Sequence, residues 1–451
     1  MLVFSLQFSM VSIAFPELER DLDAPLRWTG WVLTIFMVGQ VISLPVSGRL
    51  ADRYGRRTVF ASGLVLFAVA SAACALAPNI YALIGARALQ GLAGGALMPS
   101  AMGLVGEAFM ENRMRPIGFL GSIVPAGGIV GPVLGGLIVE YFGWRWTFGI
   151  NVPLVAVALA GIFAFTPRGT TTPGEGRLDF AGIGMLAVAA TAFIFALTEL
   201  GQTEQSPNAM LVAISFGIAL VSAVLLVRHE LRTPHPFLDL ELFRRREFIS
   251  ANTLAFLFGS GLFGVFLLIP YYASTVYGFS ASETGAIVTP RSVTLVLASG
   301  VTAAILPYIG VRLPMFLGML GFAGAMVLLS LSFEDPTVLG IEISSFAWVT
   351  GVVATAGLAF GLVNPALNNA NLHLVPDRIA GVTGLRQMFM SLGGTIGISV
   401  IVLISSRASS EAQGLEWSFA GLAFVVVLAS VGLLGIREAP RHGSGGATSG
   451  G

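Results

Sequence analysis

Three features of this sequence point to an all-α polytopic membrane protein. Of 451 residues, 55% are hydrophobic and only 11% charged, with a mean hydropathy of +0.85, whereas soluble domains carry roughly 25% charged residues. Charge-poor runs near the roughly 20 residues that a helix needs to cross about 30 Å of hydrocarbon recur along the chain. Arginines concentrate in alternate turns between those runs, the asymmetry that a membrane imposes on loops. The longest polar stretch, 228–247, is too short for a soluble domain.

Fourteen runs follow in order. The first, 1–16, closes on Pro16. Its residues Met1 to Phe15 would make a helix of only about 22 Å at 1.5 Å per residue, so it either begins below the membrane surface or starts upstream. Run 28–48 lies between Arg27 and the charged turn 48–57, and runs 58–77 and 79–104 follow it. Run 116–139 lies between Arg115 and Arg145, run 146–166 ends before Arg168, run 180–200 follows Arg177, and run 208–227 stops at Arg228. Run 248–275 follows Arg244, Arg245 and Arg246, run 282–306 precedes Arg312, and runs 313–333 and 343–367 follow it. Runs 378–405 and 415–436 end before Arg407 and Arg437. With the N-terminus inside, seventeen arginines fall in inside turns and four, Arg20, Arg27, Arg145 and Arg407, in outside turns. Both termini are therefore expected to be cytoplasmic. The tail from Glu438 is Gly/Ser-rich and expected to be disordered.

Composition also excludes function classes. All 24 basic residues are arginine, so neither a P-loop lysine nor a Schiff-base lysine is available. One cysteine, Cys74, and four scattered histidines offer no metal site, and no nucleophile–base pair suggests an enzyme. No cofactor is expected, and a net charge of +0 gives no case for nucleic acid.

Three segments carry ordered patterns. Gly48-Arg49-Leu50-Ala51-Asp52-Arg53-Tyr54-Gly55-Arg56-Arg57 is a short, charge-packed turn. Leu83 to Gly95 reads LIGARALQGLAGG, with Arg87 and Gln90 inside a run. Gly127, Gly131 and Gly135 fall at i, i+4 and i+8 beside Pro132 and Gly136, giving one helix face without side chains where a neighbour can approach closely. Gly393 and Gly397 offer a second such face. The charged turn resembles the signature loop of the major facilitator superfamily, the second segment its fourth-helix motif, and the third its antiporter-type fifth-helix motif. With fourteen runs, the chain is similar to the 14-span drug:proton antiporter family of the EmrB/QacA type.

That resemblance implies a major facilitator fold in the plasma (inner) membrane. Two six-helix halves, 1–166 and 247–437, would be joined by two extra helices within 167–246, with a cytoplasmic tail at 438–451. It implies export of hydrophobic, drug-like molecules by alternating access, with protons as a possible second partner and a monomer as the default state. Gly48, Asp52, Arg53, Gly55, Arg56 and Arg57 would form a conformational latch, and the glycines around Pro132 a hinge or seal.

The chain also departs from that pattern. The family's first-helix aspartate is replaced by Gln7, which cannot carry a coupling proton. The acids nearest to any depth, Glu107, Glu140 and Glu199, sit at run ends. Arg87, Arg291 and Arg386 lie within runs, where a charge is a default functional candidate. With Gln7, Gln90 and Asn364 they form the expected substrate and proton pathway, whose positive potential would favour neutral or anionic molecules. An uncoupled facilitator, an organic-anion transporter and a non-transporting scaffold or receptor remain alternatives.

Overall fold

The computed structural model describes residues 2–108, 114–165, 179–201, 207–233, 243, 245–338, 340–372 and 379–431. In chain order its helices are α1 (Leu2–Asp21), α2 (Leu26–Tyr54), α3 (Arg56–Ala75), α4 (Ile80–Ala108), α5 (Met114–Phe142), α6 (Arg145–Gly149), α7 (Asn151–Phe165), α8 (Phe180–Leu200) and α9 (Ala209–Glu230). There follow α10 (Arg246–Gly259), a π-helical turn (Ser260–Val265), α11 (Phe266–Tyr277), α12 (Ala281–Ile309), α13 (Arg312–Ser330), α14 (Ser345–Leu372), α15 (Ile379–Arg407) and α16 (Glu411–Val431). Among the described residues, ten helical segments are long and apolar enough to cross a membrane, and Gly127–Phe142 and Phe248–Gly259 are shorter apolar helices. The tail beyond residue 431 lies outside the described residues, as does the side chain of Glu107.

Local sequence sets the helix ends. Ser280 and Glu283 close a capping box on α12, the Asp179 carboxylate caps α8 by accepting from the Gly182 amide, and Asn208 caps α9. Gly55, at φ +87°, makes the one-residue break between α2 and α3, a backbone conformation that L side chains rarely adopt; the charged segment 48–57 is therefore not the turn expected but the end of α2, this single glycine and the start of α3.

The structure corrects two of the expected runs and adds an element. α1 does not stop at Pro16 but continues to Asp21, giving 20 residues, or about 30 Å. A proline deprives a helix of one amide donor, and here the helix carries that loss and goes on. Run 248–275 is not one α-helix, because the π turn interrupts it where the Ser260 hydroxyl donates to the Gly393 carbonyl at 2.9 Å. Between α13 and α14, Thr337–Val338 (β1) pairs antiparallel with Ile341–Glu342 (β2), a hairpin too short to show as a strand pattern.

Helix packing repeats along the chain. α4 packs on α2 and α3, α3 on α7, and α1 on α5; correspondingly α14 packs on α12 and α13, α13 on α16, and α15 on α10 and the π turn. Glycines mark the repeat. A Cβ at Gly95 would lie 2.7 Å from the Gln40 carbonyl of α2, and one at Gly361 would lie 2.6 Å from the Leu295 carbonyl of α12. The two sets meet through α5 against α12, α15 against α2, and α1 against α11. α8 and α9 pair with each other, and α8 leans on both α2 and α15. Large apolar side chains stay exposed on the outer faces, Met210 and Val157 at 72% among them; helices apolar all round suit a lipid surround.

Candidate transport pathway

The residues between the two helix sets form the candidate pathway, and two ends can be told apart. At the Asp21 end the sets are in close contact. A Cβ at Gly136 would come within 2.6 Å of the Ala281 carbonyl of α12, Gly285 packs against the backbone of Pro132, and the Glu140 carboxylate accepts from the Ser282 amide at 3.0 Å. Gly135 instead faces α1, where a Cβ would lie 3.0 Å from Met10 Cα. The side-chain-free face of α5 therefore serves two partners, Gly135 towards α1 and Pro132 with Gly136 towards α12. Gly127 and Gly131 are buried on the same helix.

Further contacts line this end. Asp21 accepts from Trp144 Nε1 at 2.9 Å and pairs with Arg145 at 2.5 Å. The indole and guanidinium bonds hold its carboxyl below the usual range. Phe15 meets Tyr271 of α11 edge-on, with ring centroids 5.2 Å apart. The Tyr271 hydroxyl donates to the Glu411 carboxylate of α16 and is also within hydrogen-bonding reach of Glu19. Glu19 lies one turn past the apolar run 1–16, and burial raises its carboxyl to about 7.

Arg87 is 2% exposed and its charge is held inside the first helix set. Nε donates to the Val32 carbonyl at 2.8 Å and Nη1 to Gln90 Oε1 at 2.6 Å, while Gln90 Nε2 donates to Ser71 Oγ at 2.7 Å. Its guanidinium also lies 4.0 Å above the Phe36 ring, a cation–π contact. Gln7 is fully buried and accepts from Asn151 Nδ2 at 2.5 Å, tying α1 to α7. Arg87, Gln90 and Gln7 are thus each tied within the first helix set.

The other expected residues are spread out. Arg291 sits on α12 against α14, where a Cβ at Gly357 would collide with its backbone. Arg386 of α15 is buried, and among the described residues its Nε and Nη1 make no hydrogen bond. Asn364 is half-buried on α14 beside Pro365. At the Tyr54 end, Arg57 donates to the Phe163 carbonyl at 3.5 Å and lies 5.5 Å from that residue's ring centroid, so it anchors α3 to α7. Arg56 is half-buried at the first turn of α3. The side chains of Asp52 and Arg53 lie outside the described residues, as does any fine structure at Gly48. Among the described residues, no group of three or more His, Cys, Asp or Glu could hold a metal ion.

Sequence reasoning passed over Ser71, Glu19 and Glu411, and did not join Asn151 to Gln7. Acids at run ends read as solvated, and the signal that could have flagged Glu19 is the continuation of α1 through Pro16. A cavity of about 490 Å³ opens among α8, α9 and α15, lined by apolar groups including Phe193, Phe216 and Leu392.

This geometry, two repeated helix sets meeting along α5/α12 and α2/α15, is matched in known proteins. The sequence profile of the Major Facilitator Superfamily matches residues 1–398 and again 253–450. The chain belongs to the Major Facilitator Superfamily. It is 32% identical over 409 residues to the Multidrug transporter protein MdtP of Bacillus subtilis (strain 168), covering 90% of this chain and 74% of that one. It is 32% identical over 434 residues to the Lincomycin resistance protein of Streptomyces lincolnensis, covering 96% and 87%. The Tetracenomycin C resistance and export protein of Streptomyces glaucescens is 29% identical over 426 residues, covering 93% and 77%. The fold superposes on the crystal structure of a POT family transporter in complex with 5-aminolevulinic acid, with a TM-score of 0.70 and 16% identity, covering 96% of this chain and 94% of that one. This superfamily member is a multi-pass membrane transporter and not an enzyme.

Proposed function

We propose that this transporter exports hydrophobic, drug-like small molecules by alternating access, as a proton antiporter of the 14-span type. The observation that carries the reading is similarity over nine-tenths of the chain to multidrug and antibiotic resistance transporters. The two halves would be 1–166 and 247–437, with α8 and α9 as the extra pair. The outside arginines Arg20, Arg27, Arg145 and Arg407 favour placing the Asp21 end outside and both termini in the cytoplasm. In that orientation the outer ends of the halves are closed on one another, and rocking about this seam would expose a central site alternately. Gly127, Gly131, Pro132, Gly135 and Gly136 would act as the seal, and the Gly48–Arg57 segment, where α2 ends and α3 begins, as the inner latch. Arg386, with donors left over inside the bundle, and with Arg291 and Asn364 on neighbouring elements, favours neutral or anionic drugs over cations.

Proteoliposomes holding a pH-sensitive dye and an imposed proton gradient test this reading. Addition of neutral, anionic and cationic hydrophobic compounds in turn is expected to collapse the gradient for the neutral or anionic ones. Movement of compounds without protons would make the chain an uncoupled facilitator, the second reading that Gln7 favours. No movement of any compound would overturn the export reading.

A further inference from the structure

The cluster Glu19–Tyr271–Glu411 joins the two halves at the Asp21 end, and a count of its protons shows what it needs. Tyr271 is 2% exposed and has one hydroxyl proton, which it donates to Glu411. Glu19, on the opposite half, faces the same hydroxyl oxygen. If both carboxylates are ionised, one of them must face lone pairs on the phenol, because a phenol donates one hydrogen bond only. One added proton completes the chain: the Glu19 acid donates to the Tyr271 oxygen, and Tyr271 donates to the Glu411 carboxylate. The same proton removes the repulsion between two partly buried carboxylates.

We propose that Glu19 and Glu411 share one proton through Tyr271, and that this proton locks the Asp21 end of the transporter shut. Loss of the proton leaves two like charges across the seam between α1 and α16 and favours opening there. The proposal rests on the alternating-access reading only in taking the halves to part at this seam. It needs no substrate and names an acid pair that can replace the missing first-helix carboxylate as the proton-responsive element.

The surroundings do not quench the pair. On α1, Glu17 and Asp21 add negative charge, and Arg20 attracts Glu19 while its Nε donates to the Pro16 carbonyl of its own helix. Arg145 of α6 is paired to Asp21. On α5, Glu140 is bonded to the Ser282 amide, and on α12 Glu283 is held in its capping box. Tyr272 and Tyr277 of α11 bond to one another and to the Leu329 and Phe333 carbonyls, with Glu416 of α16 beside them. Arg27 of α2 lies further along, lining a small cavity with α8 and α15. Burial of Glu19, which raises its carboxyl to about 7, fits a proton held under ordinary conditions.

Spin labels at Pro25→Cys and Ser409→Cys, exposed positions on the two halves, in a Cys74→Ser background, test the lock by pulsed distance measurement in nanodiscs. Without substrate, the short-distance population is expected to dominate at pH 5.5 and to give way to a longer one as pH rises, with a midpoint near 7. An amide supplies the missing donor, so Glu19→Gln or Glu411→Gln should each keep the short distance up to pH 8.5. Tyr271→Phe should favour the long distance at every pH. A distance that does not change with pH in the unmodified cluster overturns the proposal, as does a transition that survives both glutamine variants. Because no compound is added, this failure is separate from failure to export drugs.

Discussion

Arg87 shows how a charge can be kept inside a membrane protein with no counter-ion among the described residues. Its hydrogen bonds go to the neutral Val32 carbonyl and Gln90 side chain, and Phe36 supplies a π face. Hydrogen bonds to a charged group contribute about 1.5–3 kcal/mol each, so Arg87→Met is expected to destabilise the fold by about 3 kcal/mol. Thermal unfolding in detergent would show this, with Ser71→Ala, which breaks only the outermost link, costing about 1 kcal/mol. Gln7 is expected to behave in the same structural way. Gln7→Leu leaves the buried Asn151 amide without its acceptor and should cost about 1–3 kcal/mol, whereas Gln7→Glu keeps an acceptor at that place. If the leucine variant unfolds no earlier than the glutamate variant, the Gln7–Asn151 bond is not holding α1 to α7.

At the scale of the element, backbone contact through glycine sets which helices touch. α5 can lie this close to α12 because Gly136 and Gly285 have no side chains. Overpacking of such a contact costs about 1–3 kcal/mol, and here it would push the two halves apart at the end where they meet. Gly136→Val is therefore expected to lower drug efflux from cells at least tenfold with expression retained. Gly161→Ala, on α7 with nothing within 4 Å of the added Cβ, should leave efflux unchanged. Equal efflux by the two variants would remove the seam from the mechanism. The π turn in the run 248–275 belongs to this scale too. Hydropathy cannot see it, because the contact made at this turn, from the Ser260 hydroxyl to the Gly393 carbonyl of α15, joins residues more than a hundred apart in sequence.

For the whole molecule, the Glu19 cluster gives the pH dependence a definite sign. Burial raises the Glu19 carboxyl from an ordinary 4.5 to about 7, so the closed arrangement binds the proton more tightly than an open, hydrated one. Its extra stability is fully present below about 4.5 and is lost as pH rises through about 7. Raising the pH on the Asp21 side alone, from 6 to 8, should therefore increase labelling of Thr284→Cys, a position 1% exposed beside the Gly285 contact of the closed seam, by an impermeant maleimide severalfold after correction for the reagent's own pH dependence. Equal corrected labelling at both pH values would assign the closed seam to packing alone. Asp21 works in the opposite sense: its carboxyl is lowered by Trp144 and Arg145, so its contribution is lost only in acid.

The helices, the membrane and the family resemblance can all be read from the amino-acid order alone. Each is written in short-range terms: runs of about 20 apolar residues, arginines in alternate turns, and glycines four apart such as Gly127, Gly131 and Gly135. That order also marked Arg87 and Gln90, because a charge and an amide inside an apolar run are visible without a structure. What these groups do depends on how the helices pack. Ser71, Val32 and Asn151 became partners, and Glu19, Tyr271 and Glu411 became one cluster, through contacts between segments as far as 140 residues apart or more. Periodicity reports which face of a helix is apolar, whereas desolvation and proton sharing depend on which other helix that face is pressed against.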